Sequence, residues 1–489
     1  GASVYTVAGA TWHTSRRILA AEQRLTEAAG RTDGHAATPA AVDVALLEAE
    51  ANRTPLNAGQ VALVRAMATS GLRVQLAIAP AGSGKTTAMQ ALASAWRHDG
   101  GHVVGLAPSA SAAAQLVGQI GTHADTLAIL THALAHHRPV PTWASAIGPR
   151  SLVVIDEAGM ADTLTLDTVV AYVLDRGGSV RLIGDDQQLA AIGAGGVLRD
   201  IHHTHGALRL NELVRFTDPA EGAASLALRE GDPEALGFYL DNQRVHVGDL
   251  ATCTQAVFDA WSADRDAGRD ALMLAPTRDL VADLNARAQA ALWGDQPPRR
   301  TVALPDGNVA GVGDLIITRT NDRRLATAAT DWVRNGDRWR VTAIASNGAL
   351  SAVHQISHQR VVLPADYVRD SVELGYACTV HTAQGVTADT MHGVLTGSES
   401  RQELYTMLTR GRLASHVYLD VVGAGDEDAV IRPEAVLPPT AADLLEAVLT
   451  RDAAPTSATS TLRQAADPGS RLADAAVRYH DAVTFAAEQ

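Results

Sequence analysis

Lysine is nearly missing from this chain: of its 40 basic residues, 39 are arginine and one, Lys85, is lysine. Cysteine is almost as scarce. Cys253 and Cys378 lie far apart and have no metal-ligand spacing, which excludes a disulfide framework and predicts no structural zinc. No stretch approaches the roughly 18 consecutive apolar residues of a spanning helix, so no membrane association is expected. A reducing, cytoplasmic setting fits. A surplus of positive charge is also missing. The net charge of −14 excludes a generally basic coat, so any polyanion must be gripped locally, with weak nonspecific binding. No signal peptide is visible. The chain starts at Gly1 rather than Met, and we expect it to be part of a longer protein.

The composition is otherwise that of a globular protein, 46% apolar and 4% aromatic, with room for two to four domains in 489 residues. The lone lysine stands in Ala79-Pro80-Ala81-Gly82-Ser83-Gly84-Lys85-Thr86. Arginine is a planar fork and lysine a compact point charge, and only the second suits a phosphate-binding loop. There the backbone N–H groups wrap the phosphates, the lysine reaches the β/γ oxygens and the Ser/Thr hydroxyl holds Mg²⁺. The apolar run Val74 to Ile78 precedes the loop and a helical pattern, Thr86 to Trp96, follows it. Ala79 replaces the usual first glycine.

Short apolar runs at Val103 to Leu106, Leu152 to Ile155 and Val180 to Ile183 alternate with helical segments, which implies α/β architecture with a parallel sheet. Two polar-faced helices at 15–50 form a lead-in, and residues 51–205 a first ATPase domain. A second series is expected from near Arg209, within 206–430, with strands at Ala271 to Ala275, Met391 to Leu395 and His416 to Val422. Within it, about 298–372 is β-rich with Asn-Gly turn signals and is expected to be a small inserted barrel. Residues 431–489 are expected to hold helices and a linker. The linker is placed at 452–470, rich in Ala, Ser, Thr and Pro, with a last helix from about Arg471.

Further motifs end the first set of strands. Asp156-Glu157 closes one apolar run. Asp156 can hold Mg²⁺ and Glu157 can orient or deprotonate a water, although acid pairs are more often solvated turns. Gly184-Asp185-Asp186-Gln187-Gln188-Leu189 closes the next, where Gln188 could sense a γ-phosphate or be a plain loop amide. Gln60, in Pro55-Leu56-Asn57-Ala58-Gly59-Gln60, could pair with an adenine edge, but in isolation a helix cap is the better reading. His202, His203 and His205 are read as a polar loop. In 319–340, six arginines against three aspartates give a local excess of three positive charges, interleaved with Trp332 and Trp339. Arginine with aromatics suits stacking along a single strand. Trp339 is better read as barrel core.

In this order the motifs resemble superfamily 1 helicases, most closely the 5′→3′ RecD-like branch and the helicase half of conjugative relaxases of the TraI/TrwC type. The resemblance rests on the segments already quoted together with Leu106-Ala107-Pro108-Ser109-Ala110, Leu210 to Phe216, Tyr376 to Gly385 and Tyr405-Thr406-Met407-Leu408-Thr409-Arg410-Gly411-Arg412. It covers about residues 50–425. It implies two RecA-like P-loop domains with an SH3-like barrel in the second, ATP and Mg²⁺ as cofactors, and single-stranded DNA and relaxosome or conjugation proteins as partners. By resemblance, Lys85, Glu157, Gln188, Arg215 and Arg410 are catalytic. Gln60, Ala81, Gly82, Ser83, Gly84, Lys85, Thr86, Thr87 and Phe216 bind nucleotide, and Thr86 and Asp156 hold the metal. Ser109, Arg323, Arg324, Trp332, Thr379 and His381 are the DNA-binding candidates, with a core histidine an equal reading for His381. Residues 133–150 leave little room for a duplex-splitting pin. A DNA-binding scaffold with a weak or vestigial ATPase is the alternative.

Overall fold

The computed structural model describes residues 13–189, 194–294, 298–328, 331–421 and 440–467, with four isolated positions beyond. The expected last helix from Arg471 lies almost wholly outside the described residues.

The first lobe is built on a six-stranded parallel sheet. Its order is Ala124–Thr126, His102–Ala107, Ser151–Ile155, Ser179–Gly184, Val74–Ile78 and Leu208–Arg209. Every residue of Ser151–Ile155 and Ser179–Gly184 is buried, as strands covered on both faces require. Leu208–Arg209 pairs with Ala77 and Ile78. Arg209 therefore closes the first sheet instead of opening a second series. The helices Pro39–Ala51, Ala58–Thr69 and Lys85–His98 pack together, with Val42, Leu63, Met67, Met89 and Trp96 in one core. Helix Arg16–Ala29 packs with Thr163–Asp175 and Val197–His205 in another, which includes Leu25, Leu166 and Ile201. The two lead-in helices thus serve separate cores of this lobe. Residues 133–150 fold inward, with Trp143 and Ile147 in the core. Arg181, fully buried in the sheet, donates to Met67 O at 2.8 and 2.9 Å and to Leu72 O at 2.9 Å. It satisfies the Met67 carbonyl in the last turn of Ala58–Thr69 and the Leu72 carbonyl just beyond it, while burial pushes its pKa down to about 9.

The second lobe has a five-stranded parallel sheet in the order Ala377–Thr379, Ala271–Ala275, Ala388–Leu395, Gly411–Asp420 and Val245–Gly248. A barrel-like unit is inserted after helix Arg278–Trp293. Its antiparallel sheet runs Arg360–Leu363, Leu350–His354, Arg338–Ile344, Leu315–Thr318 and Val372–Leu374. Trp339, 1% exposed, fills its interior. At its root the buried carboxylate of Asp314 accepts from Gln289 Nε2 (2.7 Å), the Gly311 N–H (2.6 Å) and Tyr376 Oη (2.8 Å). A two-stranded ribbon, Asp322–Ala328 with Asp331–Val333, also belongs to the insertion.

The expected linker at 452–470 is instead ordered over its described part. Helix Ala441–Thr450 packs on Arg401–Leu408 of the second lobe. The chain then crosses to the first lobe, where Ala458–Ala466 packs on Arg16–Ala29. The buried Glu22 carboxylate accepts from the N–H groups of Ala458 and Thr459, both at 2.8 Å, and from Thr459 Oγ1 at 2.6 Å. This segment is a strap across both lobes.

Candidate nucleotide site and interlobe cleft

The phosphate loop links strand Val74–Ile78 to helix Lys85–His98. Gly82 has φ +85° and Gly84 φ +71°, a region favourable only to glycine. A Cβ at Gly82 would lie 2.6 Å from Arg215 Cβ, and one at Gly84 2.3 Å from Gln60 Nε2. Both positions therefore need glycine for backbone shape and for space. Among the described residues the N–H groups of Gly84, Lys85 and Thr86 have no hydrogen-bond acceptor, and the buried Ser83 Oγ has no partner. This cradle of unpaired donors at a helix N-terminus fits a phosphate.

Lys85 Nζ lies between two carboxylates, 2.7 Å from Asp156 Oδ1 and 2.8 Å from Glu157 Oε1. Burial raises the Asp156 pKa above the ordinary carboxylate value in spite of Lys85. Burial also acts upward on Glu157, but Lys85, Arg410 and Arg215 outweigh it and hold that carboxyl below its ordinary value. The pair therefore keeps Glu157 as the charged base and Asp156 as the costlier anion, which a cation would relieve. Thr86 is exposed to the cleft, and its hydroxyl with the Asp156 carboxylate is an all-oxygen donor set that suits Mg²⁺. Glu157 has φ +50°, a conformation rare for a residue with a side chain.

Two arginines approach from the other side. Arg215 lies against Gly82 and donates from Nη1 to Thr409 O at 2.7 Å. Arg410, 2% exposed, is held by Thr406 O (2.8 Å), Thr409 Oγ1 (2.9 Å) and the carbonyls of Ala383 and Val386. Burial, with Arg215 nearby, pushes its pKa down to about 10. The phosphate loop, Asp156, Glu157, Gln188, Arg215 and Arg410 line one cleft of about 1170 Å³.

Three comparisons bear on this arrangement. Residues 55–250 match a family model described as an AAA domain, and residues 302–373 match the Rv2311 SH3-like barrel domain. The chain is 30% identical over 351 residues to a probable conjugal transfer protein TraA of Sinorhizobium fredii, covering 71% of this chain and 31% of that protein. It is 28% identical over 356 residues to the ATP-dependent RecD2 DNA helicase of Deinococcus radiodurans, covering 70% of this chain and 46% of that one. Together these findings support a chain that resembles RecD-like superfamily 1 helicases. It spans about a third of the length of the TraA relative. A Pif1 helicase from Bacteroides, solved with ADP-AlF3 and ssDNA, superposes with a TM-score of 0.50 at 18% identity, covering 75% of this chain and 92% of that one. That likeness carries the fold: two RecA-like lobes, with an SH3-like barrel in the second.

Several expected site residues of this RecD-like chain stand elsewhere. The Gln60 amide is 4% exposed and already occupied. Its Oε1 accepts from the Asn57 N–H at 2.9 Å and its Nε2 donates to Gly84 O at 3.0 Å. It closes a capping box and buttresses the phosphate loop, so it does not present a free edge to adenine. Phe216 is buried beside Gly222 instead of facing the cleft. Thr87 is the third residue of helix Lys85–His98, its N–H donating to Gly84 O at 3.2 Å. Gln188 stays in the cleft lining, its Nε2 donating to Asp185 Oδ2 at 3.3 Å.

The cleft continues beyond the phosphate loop. Ser109 lines one wall, its Oγ capping helix Ala110–Ile120 by accepting from the Ala112 N–H at 3.1 Å. His381 lines the opposite wall and is exposed, so it is not a core histidine. Thr379 sits behind it, its Oγ1 3.0 Å from Thr382 Oγ1. Arg323, Arg324 and Trp332 belong to the ribbon of the barrel. Arg323 pairs with Asp125 of the first lobe at 2.9 Å and Arg324 with Asp322 at 2.6 Å, while the guanidinium groups of Arg323 and Arg334 lie 5.0 and 5.2 Å from the Trp332 ring centre. Part of the positive excess expected from 319–340 is therefore met by carboxylates outside the segment, Asp125 and Glu373 facing Arg323 and Arg319, while Arg334 pairs with Asp331 inside it. Arg319, one of the six arginines of 319–340, lines the cleft, as do Arg278, Asn321 and Asn335, which the sequence did not point to. His202, His203 and His205 end helix Val197–His205 instead of forming a loop. Among the described residues no group of three or more His, Cys, Asp or Glu is placed to hold a metal.

Proposed function

We propose that this chain is an ATP-dependent translocase on single-stranded DNA, a helicase of 5′→3′ polarity, working as part of a larger relaxase-helicase-like protein in the cytoplasm. The observation that carries the reading is the single cleft that joins the phosphate loop and both arginines to a groove walled by Ser109 and His381. Lys85 and the loop N–H groups bind the phosphates, and Thr86 and Asp156 hold Mg²⁺, which neutralises phosphate charge when bound. Glu157 orients the attacking water and takes its proton. Arg215 and Arg410, both held by the second lobe, stabilise transferred charge, so hydrolysis depends on how the lobes stand. DNA in the adjoining groove is gripped by both lobes and is carried as they move. The polarity, the relaxosome partners and the cellular setting rest on the resemblance to conjugative proteins.

ATP hydrolysis with and without a single-stranded oligonucleotide tests this. Strong stimulation is expected. In Lys85→Arg, turnover falls by roughly 10²-fold or more although charge is kept, because a planar fork cannot occupy the point-charge position between Asp156 and Glu157. A low rate that DNA does not change would remove the motor reading.

A further inference from the structure

Behind the cleft, buried side chains from both lobes meet on the phosphate loop. The Ala81 N–H donates to Tyr405 Oη at 3.2 Å, across 324 positions of sequence. Tyr405 Oη in turn donates to Asp185 Oδ2 at 3.0 Å. The other oxygen, Asp185 Oδ1, accepts from Arg229 Nε at 2.9 Å and from the Gln187 N–H at 3.1 Å. Tyr405, Asp185 and Arg229 are 1%, 5% and 4% exposed, so water cannot replace a lost partner. The apolar surroundings repeat the pattern. Ala81 and Leu189 of the first lobe share a core cluster with Leu228, Leu404 and Tyr405 of the second.

Ala81 belongs to the loop that cradles phosphate, and Asp185 accepts from the side chain of Gln188. Tyr405 lies on helix Arg401–Leu408, which leads directly into Arg410. A shift of the second lobe must therefore move Tyr405 against Ala81 and Asp185 together. We propose that Tyr405 is a positioning residue: by bridging the Ala81 amide to the Asp185 carboxylate, it sets the shape of the phosphate loop and the aim of Gln188 according to how the two lobes stand. This deepens the ATPase reading and rests on it. Tyr405 touches no nucleotide atom in this scheme. Its hydroxyl fixes the direction of an N–H that would otherwise be free to turn, and with it the curvature of the loop.

Tyr405→Phe keeps the ring and removes only the bridge. Its affinity for a fluorescent ADP analogue should fall roughly three- to tenfold, the range set by one lost hydrogen bond. The KM for ATP should rise by a similar factor, and stimulation by oligonucleotide should shrink. Asp185→Asn should act in the same direction, and the double variant should lose less than the product of the two, because both changes cut one bridge. Wild-type ADP-analogue affinity and stimulation in Tyr405→Phe, even with a lowered melting temperature, would overturn the proposal and leave the bridge purely structural. Losses that simply multiply in the double variant would also overturn it. If Tyr405→Phe does not fold, Asp185→Asn alone decides by the same two readouts. Analogue binding needs no turnover. An inactive wild-type chain would therefore count against the motor reading, while the affinity comparison would still judge Tyr405.

Discussion

At the scale of single residues, the site turns on how one cation is shared. Lys85 faces two carboxylates that cannot both be stabilised equally, and the surrounding arginines favour charge on Glu157. Glu157→Gln removes the proton acceptor but leaves Lys85 its contact with Asp156. Hydrolysis is then expected to fall by roughly 10²- to 10⁴-fold while nucleotide still binds and oligonucleotide binds more tightly. Single-turnover hydrolysis together with fluorescence anisotropy on an oligonucleotide measures both, and an unchanged rate would refute the role. These residues were legible because each lies in a contiguous stretch whose chemistry is local: a glycine loop after a strand, or an acid pair at a strand end. Gln60 was given two readings, a helix cap from its local pattern and an adenine contact from the resemblance, and the cap is what forms. Its amide suits an adenine edge, but the nearest unpaired backbone groups, on Asn57 and Gly84, take it first. Asp185, Arg229 and Tyr405 escaped because their partners are brought together only by the packing of one lobe on the other. None of the three has a local pattern that announces it.

At the scale of elements, the parallel strands and the barrel were legible from apolar runs and Asn-Gly turns, and the strap was not. Helix Ala458–Ala466 has no buried residue, so its composition resembles a linker. It is ordered by a cap lent by a distant helix: a buried carboxylate accepting from two N–H groups at its first turn. Glu22→Ala should therefore cost about 2–3 kcal/mol, the sum of a lost charged cap and stranded donors. Denaturant unfolding measures the loss, and limited proteolysis should show new cuts near Pro455. Unchanged stability with the strap still protected would mean that apolar packing alone holds it. A second element carries a pH dependence. His246, His392 and His416, on neighbouring strands of the second sheet, stack with centroids 5.4 and 5.5 Å apart. Burial, with His392 and Arg244 nearby, pushes the His416 pKa down to about 4. The unfolded chain binds this proton near the ordinary value of about 6.5 and the folded chain does not. Stability is therefore full above about pH 6.5 and declines as pH falls toward 4, by at most about 3 kcal/mol. Unfolding curves at pH 7 and pH 5 should show the decline, and His416→Gln should flatten it. An equal decline in that variant would assign it to other groups.

At the scale of the whole molecule, acidity and architecture together favour movement along a strand over forcing a duplex apart. With a net charge of −14, and with Arg319, Arg323, Arg324 and Arg334 each facing a carboxylate, the grip on DNA cannot come from a broad basic surface. In the proposed motor it comes from the cleft between the lobes, where polar groups such as Ser109, Asn321 and His381 meet a few arginines. Such a grip releases few counterions, so binding should weaken only gently with salt. Residues 133–150, where a splitting element would be expected, are instead drawn onto the first core by Trp143 and Ile147. The ribbon of the barrel is tied back to the first lobe by Arg323 and Asp125. A motor built this way should displace streptavidin from the 3′ end of a biotinylated single strand, as 5′→3′ movement requires, and leave a 5′-end block in place. On partial duplexes with a 5′ overhang it should unwind far more slowly than it displaces the block. Displacement from the 5′ end would reverse the polarity, and rapid unwinding of long duplexes would mean that another surface of the chain splits the strands.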